Sequence, residues 1–92
     1  MPKRKQTTEG ETPYKLTVRM NGIDYIGEGE TLHEAIQALG INYTMVKTKG
    51  EIKAEKGEHT HYRVVQLPKL RRYFASKLLM SGLIRDLDTL LK

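Results

Sequence analysis

The sequence predicts an α+β domain with a four-stranded, mainly antiparallel sheet and helices packed on one face. Two observations carry this prediction: two runs of alternating residues that read as hairpins, and apolar residues at helical spacing after each run. The predicted order is β-β-α-β-β-α with a C-terminal helical extension. A chain of 92 residues fits one domain, which we expect over residues 14–92.

The first hairpin is predicted over residues 14–29. Asn21-Gly22 lies between two alternating runs, and this dipeptide favours a two-residue turn. Such a turn places Arg19 opposite Asp24 on the facing strand. Opposite charges at facing positions support this register.

A short helix is predicted from Thr31 to Leu39. Thr31 and Glu34 have the spacing of a capping box, which marks the start of a helix. Leu32, Ala35, Ile36 and Leu39 recur on one helical face, and the glycine that follows them is suited to end the helix.

The second hairpin is predicted over residues 44–67, with its turn at Lys56-Gly57. A three-residue loop separates apolar from charged residues, and we prefer it for that reason. A two-residue turn instead shifts the register by one and pairs Ile52 and Ala54 with the histidines. In the preferred register, one face holds Val46, Ile52, Ala54, Tyr62 and Val64, and the other holds Lys47, Lys49, Lys53, His59, His61 and Arg63.

A basic helix is predicted to begin at Pro68, where the missing N–H costs nothing. Leu70, Phe74 and Leu78 are spaced by four and form its expected buried stripe. Ser81-Gly82 is expected to break or bend this helix. A second apolar stripe follows, formed by Leu83, Ile84, Leu87, Leu90 and Leu91.

The formal net charge of +5 is unevenly distributed along the chain. Residues 14–40 carry two basic and four acidic side chains, whereas residues 68–92 carry six basic and two acidic ones. Residues 1–13 are predicted to form a disordered basic N-terminal arm. The basic charge therefore belongs mainly to the second half of the chain.

Several classes of function are excluded or disfavoured by the composition. The absence of cysteine excludes a disulfide framework, a thiol nucleophile and a cysteine-ligated metal site. His59 and His61 point to the same side of a strand and would bind zinc if a third ligand arrived, but solvent-facing histidines are the preferred interpretation. We find no catalytic constellation or phosphate loop, so we expect no enzyme and no cofactor.

The expected compartment follows from what the chain lacks. No apolar run approaches the roughly 18 residues of a membrane span. The basic start is not followed by an apolar segment, as a secretory signal would require. We therefore expect a cytoplasmic protein with no membrane partner.

Nucleic acid is the first functional hypothesis, with an acidic protein surface as the other partner that such charge would suit. Tyr14, Tyr25 and Tyr62 are predicted to lie on the inner faces of the two hairpins, so no aromatic ring of the sheet is expected to be exposed for base stacking. We therefore expect binding by phosphate neutralisation. The candidate binding residues are Lys47, Lys49, Lys53, Arg63, Lys69, Arg71, Arg72 and Lys77.

Three stretches resemble those of small uncharacterised proteins encoded in tailed-phage genomes. They are Leu16-Thr17-Val18-Arg19-Met20-Asn21-Gly22, Gly29-Glu30-Thr31-Leu32-His33-Glu34-Ala35 and Leu67-Pro68-Lys69-Leu70-Arg71-Arg72. The resemblance covers most of residues 14–75. It implies a viral accessory or structural role in the host cytoplasm and supplies no site residues.

The alternative hypothesis is a protein-interaction or virion assembly module that uses the Leu-rich C-terminal helix. A small domain has limited room to hide so many apolar side chains, and leftover apolar surface marks a partner or self-association site. The candidate partner-binding residues are Leu83, Ile84, Leu87, Leu90 and Leu91.

Overall fold

The computed structural model describes residues 13–91, so the arm expected over residues 1–13 lies almost wholly outside the described part. The elements are β1 (Tyr14–Met20), β2 (Ile23–Gly29), α1 (Leu32–Ala38), a 3-10 helix (Tyr43–Met45), β3 (Gly50–Lys56), β4 (His59–Val65), α2 (Leu67–Tyr73) and α3 (Lys77–Leu90). The order β-β-α-β-β-α-α with a four-stranded sheet confirms the predicted α+β class.

The four strands form one antiparallel sheet in the order β2-β1-β3-β4, so β2 and β4 are its edges. One face of the sheet, here called the helix face, is buried under the helices. The other is called the open face. The open face consists of Lys15, Thr17, Arg19, Asp24, Ile26, Glu28, Glu51, Lys53, Glu55, Thr60, Tyr62 and Val64.

The first hairpin has the predicted turn and register. Asn21 and Gly22 both adopt positive φ, at 53° and 78°, as a type I′ turn requires. Arg19 faces Asp24, and the two side chains form an ion pair with an N–O distance of 2.6 Å. Local turn chemistry and cross-strand charge therefore agree on this element.

The capping box of α1 is also formed. The Thr31 hydroxyl accepts a hydrogen bond from the backbone N–H of Glu34, and the Glu34 carboxylate accepts one from the N–H of Glu30. The helix then packs closely over β2, because Gly27 and Gly29 leave no side chain between the strand and the backbone of α1. This contact closes the helix layer over one edge of the sheet.

The preferred register of the second hairpin is wrong, and the shifted one is present. The turn has two residues, Gly57 and Glu58, and Ala54 faces His61. Gly57 has a φ of 59° at the first turn position, which is the requirement of a type II′ turn. The turn chemistry therefore outweighs the cleaner charge separation of the longer loop.

This register exchanges the faces of β4. Tyr62 and Val64 lie on the open face, whereas Arg63 and both histidines of the strand lie on the helix face. These polar side chains are tolerated there because β4 is an edge strand, and all three are exposed or half-buried. The predicted basic face of this hairpin is therefore not formed.

The boundary between the two C-terminal helices lies before Lys77 and not at Ser81-Gly82, where it was predicted. The helix α2 ends at Tyr73. The Ser76 hydroxyl then caps α3 by accepting a hydrogen bond from the N–H of Leu79. The helix continues through Ser81-Gly82 without a break. Leu78, predicted to be buried, is 82% exposed because α3 starts a new helical phase after the break.

One cluster of buried apolar residues joins the sheet to all three helices. It includes Leu16 and Ile52 from the central strands, Ile36 from α1, Leu70 from α2 and Leu87 from α3. The C-terminal helix thus completes the core. None of the helices within residues 13–91 has the length and hydropathy that a membrane span needs.

Candidate functional site

The open face of the sheet is nearly neutral. It carries three basic and four acidic side chains, arranged so that opposite charges face each other across the strands. The hydrogen bonds from Arg19 hold the pKa of the Asp24 carboxyl below its ordinary value. The Tyr62 hydroxyl donates to Glu51 over 2.6 Å, and this bond raises the pKa of Tyr62. A neutral face of this kind does not attract a polyanion.

The eight predicted nucleic-acid residues do not form one surface. Lys53 lies on the open face, where it pairs with Glu55 at 3.3 Å. Arg63 lies on the helix face of β4, and Lys77 is at the start of α3. The other five lie on two segments that contact each other through Arg71 and Val46, the loop before β3 and α2. We call this region the basic end, and its residues are Lys47, Lys49, Lys69, Arg71 and Arg72.

The basic end is built by a contact between the loop before β3 and α2. The Arg71 guanidinium donates two hydrogen bonds to the Val46 carbonyl oxygen, at 3.1 and 3.2 Å. The side chain of Leu70 packs against Gly50, at the point where the loop enters β3. Because Val46 is buried and precedes Lys47, this clamp fixes the loop lysines beside the helix.

Lys47 and Lys49 project from this loop on either side of Thr48. Both lysine side chains are exposed. Lys47 also lines a small depression of about 120 Å³ with Met20 and Asn21, which places the loop against the first hairpin turn. The loop lysines are therefore presented at the end of the sheet and away from the open face.

Lys69 and Arg72 add exposed charge from α2. They are three residues apart, so they are neighbours on one side of the helix. The Lys69 amine lies over the ring of Tyr73, with its nitrogen 5.8 Å from the ring centroid. Arg72 has no ion-pair partner among residues 13–91. Residues one or two positions apart point to different sides of a helix, so Lys69 and Arg72 add charge on a side of α2 other than the one that Arg71 turns to the loop.

Carboxylates are missing from both segments of the basic end. No Asp or Glu occurs from residue 41 to 50 or from residue 59 to 85. The ion pairs within residues 13–91 are those of Arg19 with Asp24 and Lys53 with Glu55, both on the open face. Neither of these ion pairs involves a residue of the basic end, although the Tyr73 hydroxyl, whose ring lies under Lys69, donates to the Asp86 carboxylate over 3.4 Å.

Tyr43 is an aromatic residue at the basic end that sequence reasoning did not select. Its ring lies under the Arg71 guanidinium, 5.8 Å from ring centroid to guanidinium carbon, and about half of the residue is exposed. The Asn42 side chain holds this turn by accepting hydrogen bonds from Thr44. An Asn two residues before Thr is the local signal for such a turn.

The predicted partner-binding residues lie mostly inside the core. Leu83, Leu87 and Leu91 are buried, and Ile84 is half-buried against them. Leu90 is 47% exposed. The exposed apolar surface of α3 therefore consists of Leu90 with two residues that were not predicted for it, Leu78 and Leu79.

Metal binding finds no support in the described residues. His59 and His61 share the helix face of β4, as two residues of one strand must. Across residues 13–91, no three side chains of the types that bind metals come together.

No protein-family model, curated protein or solved structure matches this chain. The resemblance to small tailed-phage proteins stays a prediction. Function must therefore be inferred from the geometry and charge of the chain's own surface.

Proposed function

We propose that this chain is a non-enzymatic binding protein that contacts the phosphate backbone of a nucleic-acid duplex through the basic end. The observation that carries the proposal is the pair of hydrogen bonds from Arg71 to Val46. These bonds join two basic segments, 25 residues apart in the sequence, into one surface. Such a surface needs no catalytic group or cofactor.

The exposed charges suit phosphate neutralisation. Lys47, Lys49, Lys69 and Arg72 are all exposed, and each would displace a condensed counterion on contacting a phosphate. Arg71 acts differently, because its donors are already directed to Val46. It is a positioning residue that holds the loop. Phosphate contacts of this kind position a protein on a duplex without reading its sequence.

The setting of this activity is part of the proposal. We place it in the cytoplasm, as we expected from the sequence. The resemblance to tailed-phage proteins implies a viral accessory role in the host cell.

Salt titration of duplex binding tests the proposal. Fluorescence anisotropy would follow a labelled duplex of about 20 base pairs between about 20 and 200 mM salt. If the four exposed charges all contact phosphates, the logarithm of the affinity falls with the logarithm of salt with a slope of about −3 to −4. Absence of binding at the lowest salt, or binding without salt dependence, would contradict the proposal.

Two charge-matched variants locate the surface. The double variant Lys47→Gln, Arg72→Gln lowers the magnitude of the slope by about 1.8, because two phosphate contacts are lost. The control Lys15→Gln, Lys53→Gln removes the same charge from the open face and leaves the slope within about 0.5 of the original value. Equal effects of the two variants would show that net charge matters and the basic end does not.

A second candidate function is protein interaction through α3. It is favoured by Leu78, Leu79 and Leu90, whose side chains are exposed although they are apolar. Sedimentation of the full chain against the variant Leu78→Gln, Leu79→Gln tests self-association. An assembly that the variant abolishes supports this function, and a monomer in both cases removes self-association through α3.

A further inference from the structure

The outer edge of β4 has unpaired backbone groups. β4 pairs with β3 alone, and no other backbone hydrogen bond within residues 13–91 involves its central residues. Because the hairpin turn has two residues, Lys56 and His59 form a hydrogen-bonded pair, and the pattern alternates from there. The N–H and C=O groups of Thr60, Tyr62 and Val64 therefore point away from the sheet.

This edge lacks most of the features that protect sheet edges from a new strand, although Arg63, a charged side chain on the helix face, is one of them. β4 contains no proline or lysine, and its pairing with β3 runs over seven residues without a bulge. The β2 edge differs in charge, because its charged side chains, Asp24 and Glu28, are acidic, whereas β4 contains no carboxylate. β4 is therefore the edge better suited to a strand that carries negative charge.

The side chains along this edge differ between the two faces. On the helix face, His59, His61 and Arg63 alternate with the edge groups, and no carboxylate occurs from residue 59 to 85. On the open face, Tyr62 is 56% exposed and Val64 is 46% exposed. A strand placed here would have one face beside Arg63 and the two histidines and the other beside Tyr62 and Val64, where the Tyr62 hydroxyl donates to Glu51 of the neighbouring strand.

A second copy of the chain fits this edge poorly. Antiparallel pairing about Tyr62 would use all the unpaired backbone groups of both copies. It would also place Arg63 of each copy beside His61 of the other, so that neither arginine would face a carboxylate. A strand with carboxylates at these positions would instead make opposite-charge pairs.

We propose that the outer edge of β4 binds an extended acidic segment of a partner protein by strand addition. Carboxylates in this segment alternate with apolar residues. The carboxylates face His61 and Arg63, and the apolar residues cover Tyr62 and Val64. This edge ends at Val65, opposite Gly50 and just before α2, so its C-terminal end adjoins the basic end.

Nuclear magnetic resonance titration of the full chain tests the proposal with a defined probe. The probe is the acetylated heptapeptide amide TEVEVET, and its matched control is TKVKVKT. The acidic peptide is expected to shift the amide signals of Thr60, Tyr62 and Val64 and to slow their hydrogen exchange. It is expected to bind about tenfold more tightly than the basic one.

Two variants separate strand addition from general charge attraction. Tyr62→Pro removes an outward N–H, which edge strands tolerate, and is expected to weaken binding of the acidic peptide. Arg63→Glu retains every backbone group and is expected to reverse the preference between the two peptides. The second variant keeps the test valid if the proline variant does not fold.

Three results would overturn the proposal. The first is the absence of shifts at millimolar peptide or equal affinity for both peptides. The second is a set of shifts confined to residues 46–49 and α2, which would assign the acidic peptide to the basic end. The third is concentration-dependent shifts of the β4 amides without any peptide, which would make a second copy the occupant.

Discussion

Arg71 and Arg72 are adjacent in α2, but their side chains have different tasks. Arg71 is half-buried and donates to the Val46 carbonyl, while its guanidinium lies over Tyr43. Arg72 is exposed and lacks an ion-pair partner in the described chain. Stability and duplex binding should therefore respond separately to these two positions.

We expect Arg71→Ala to lower the free energy of unfolding by about 1–2 kcal/mol, because the carbonyl of Val46 loses its charged donor. Arg72→Ala should change this free energy by less than about 0.5 kcal/mol and weaken duplex binding. Urea unfolding and anisotropy measure the two effects. Equal stability of the two variants would contradict the role assigned to Arg71.

The ion pair of Arg19 and Asp24 predicts a pH-dependent contribution to stability. The folded-state pKa of Asp24 is lowered, so the stabilisation is present above the ordinary value of 3.8 and is lost as the pH falls through the lowered pKa. Wild type should therefore exceed Asp24→Asn in urea midpoint at pH 7 and lose this advantage near pH 2. In the Arg19→Gln background, the difference at pH 7 should shrink. An advantage that is unchanged at low pH would contradict this ion-pair origin.

At the scale of elements, close packing and helix continuity depend on particular glycines. A Cβ at Gly27 would lie 2.7 Å from the backbone nitrogen of Leu39, so β2 and α1 would have to separate. A Cβ at Gly82 would meet no atom within 4 Å, and this glycine lies inside α3. The same substitution should thus have opposite effects at the two positions.

We expect Gly27→Ala to destabilise the fold by about 1–3 kcal/mol because of overpacking. Gly82→Ala should stabilise it by about 0.4–1 kcal/mol, since alanine favours a continuous helix and restricts the unfolded chain. Thermal or urea unfolding checks both changes. Loss of stability in Gly82→Ala would show that the helix is not continuous at this residue.

The elements that were predictable from the sequence are those that local chemistry determines. Asn21-Gly22 determines the first turn, and Thr31 with Glu34 determines the start of α1. The predicted register of the second hairpin was wrong because charge separation was given more weight than Gly57, which suits a two-residue type II′ turn. The helix break was misplaced because a single internal glycine was preferred over the capping signal of Ser76.

The candidate site was only partly predictable because it depends on tertiary contacts. Residue type and exposure identify Lys47, Lys49, Lys69 and Arg72 as basic candidates. No local pattern indicates that Arg71 reaches the Val46 carbonyl and joins the two segments. Arg63 is separated from Lys53 because a shift of one residue moves every side chain of β4 to the other face, whereas Lys53 of β3 stays on the face predicted for it and pairs with Glu55.

At the scale of the whole molecule, the charge is divided among three surfaces. The open face is nearly neutral through cross-strand pairs, the basic end is positive, and the β4 edge carries basic groups beside unpaired backbone. The formal net charge of +5 hides this division. A polyanion should therefore bind at the basic end and not on the open face of the sheet.

Chemical-shift mapping of the full chain with a short DNA duplex at low salt tests the central claim most directly. We expect the amide signals of residues 46–49 and of α2 to shift in proportion to bound duplex and to return as salt is added. The signals of the open face, including those of Lys15 and Lys53, should stay unchanged. Shifts centred on the open face, or no shifts at the lowest salt, would contradict duplex binding by the basic end.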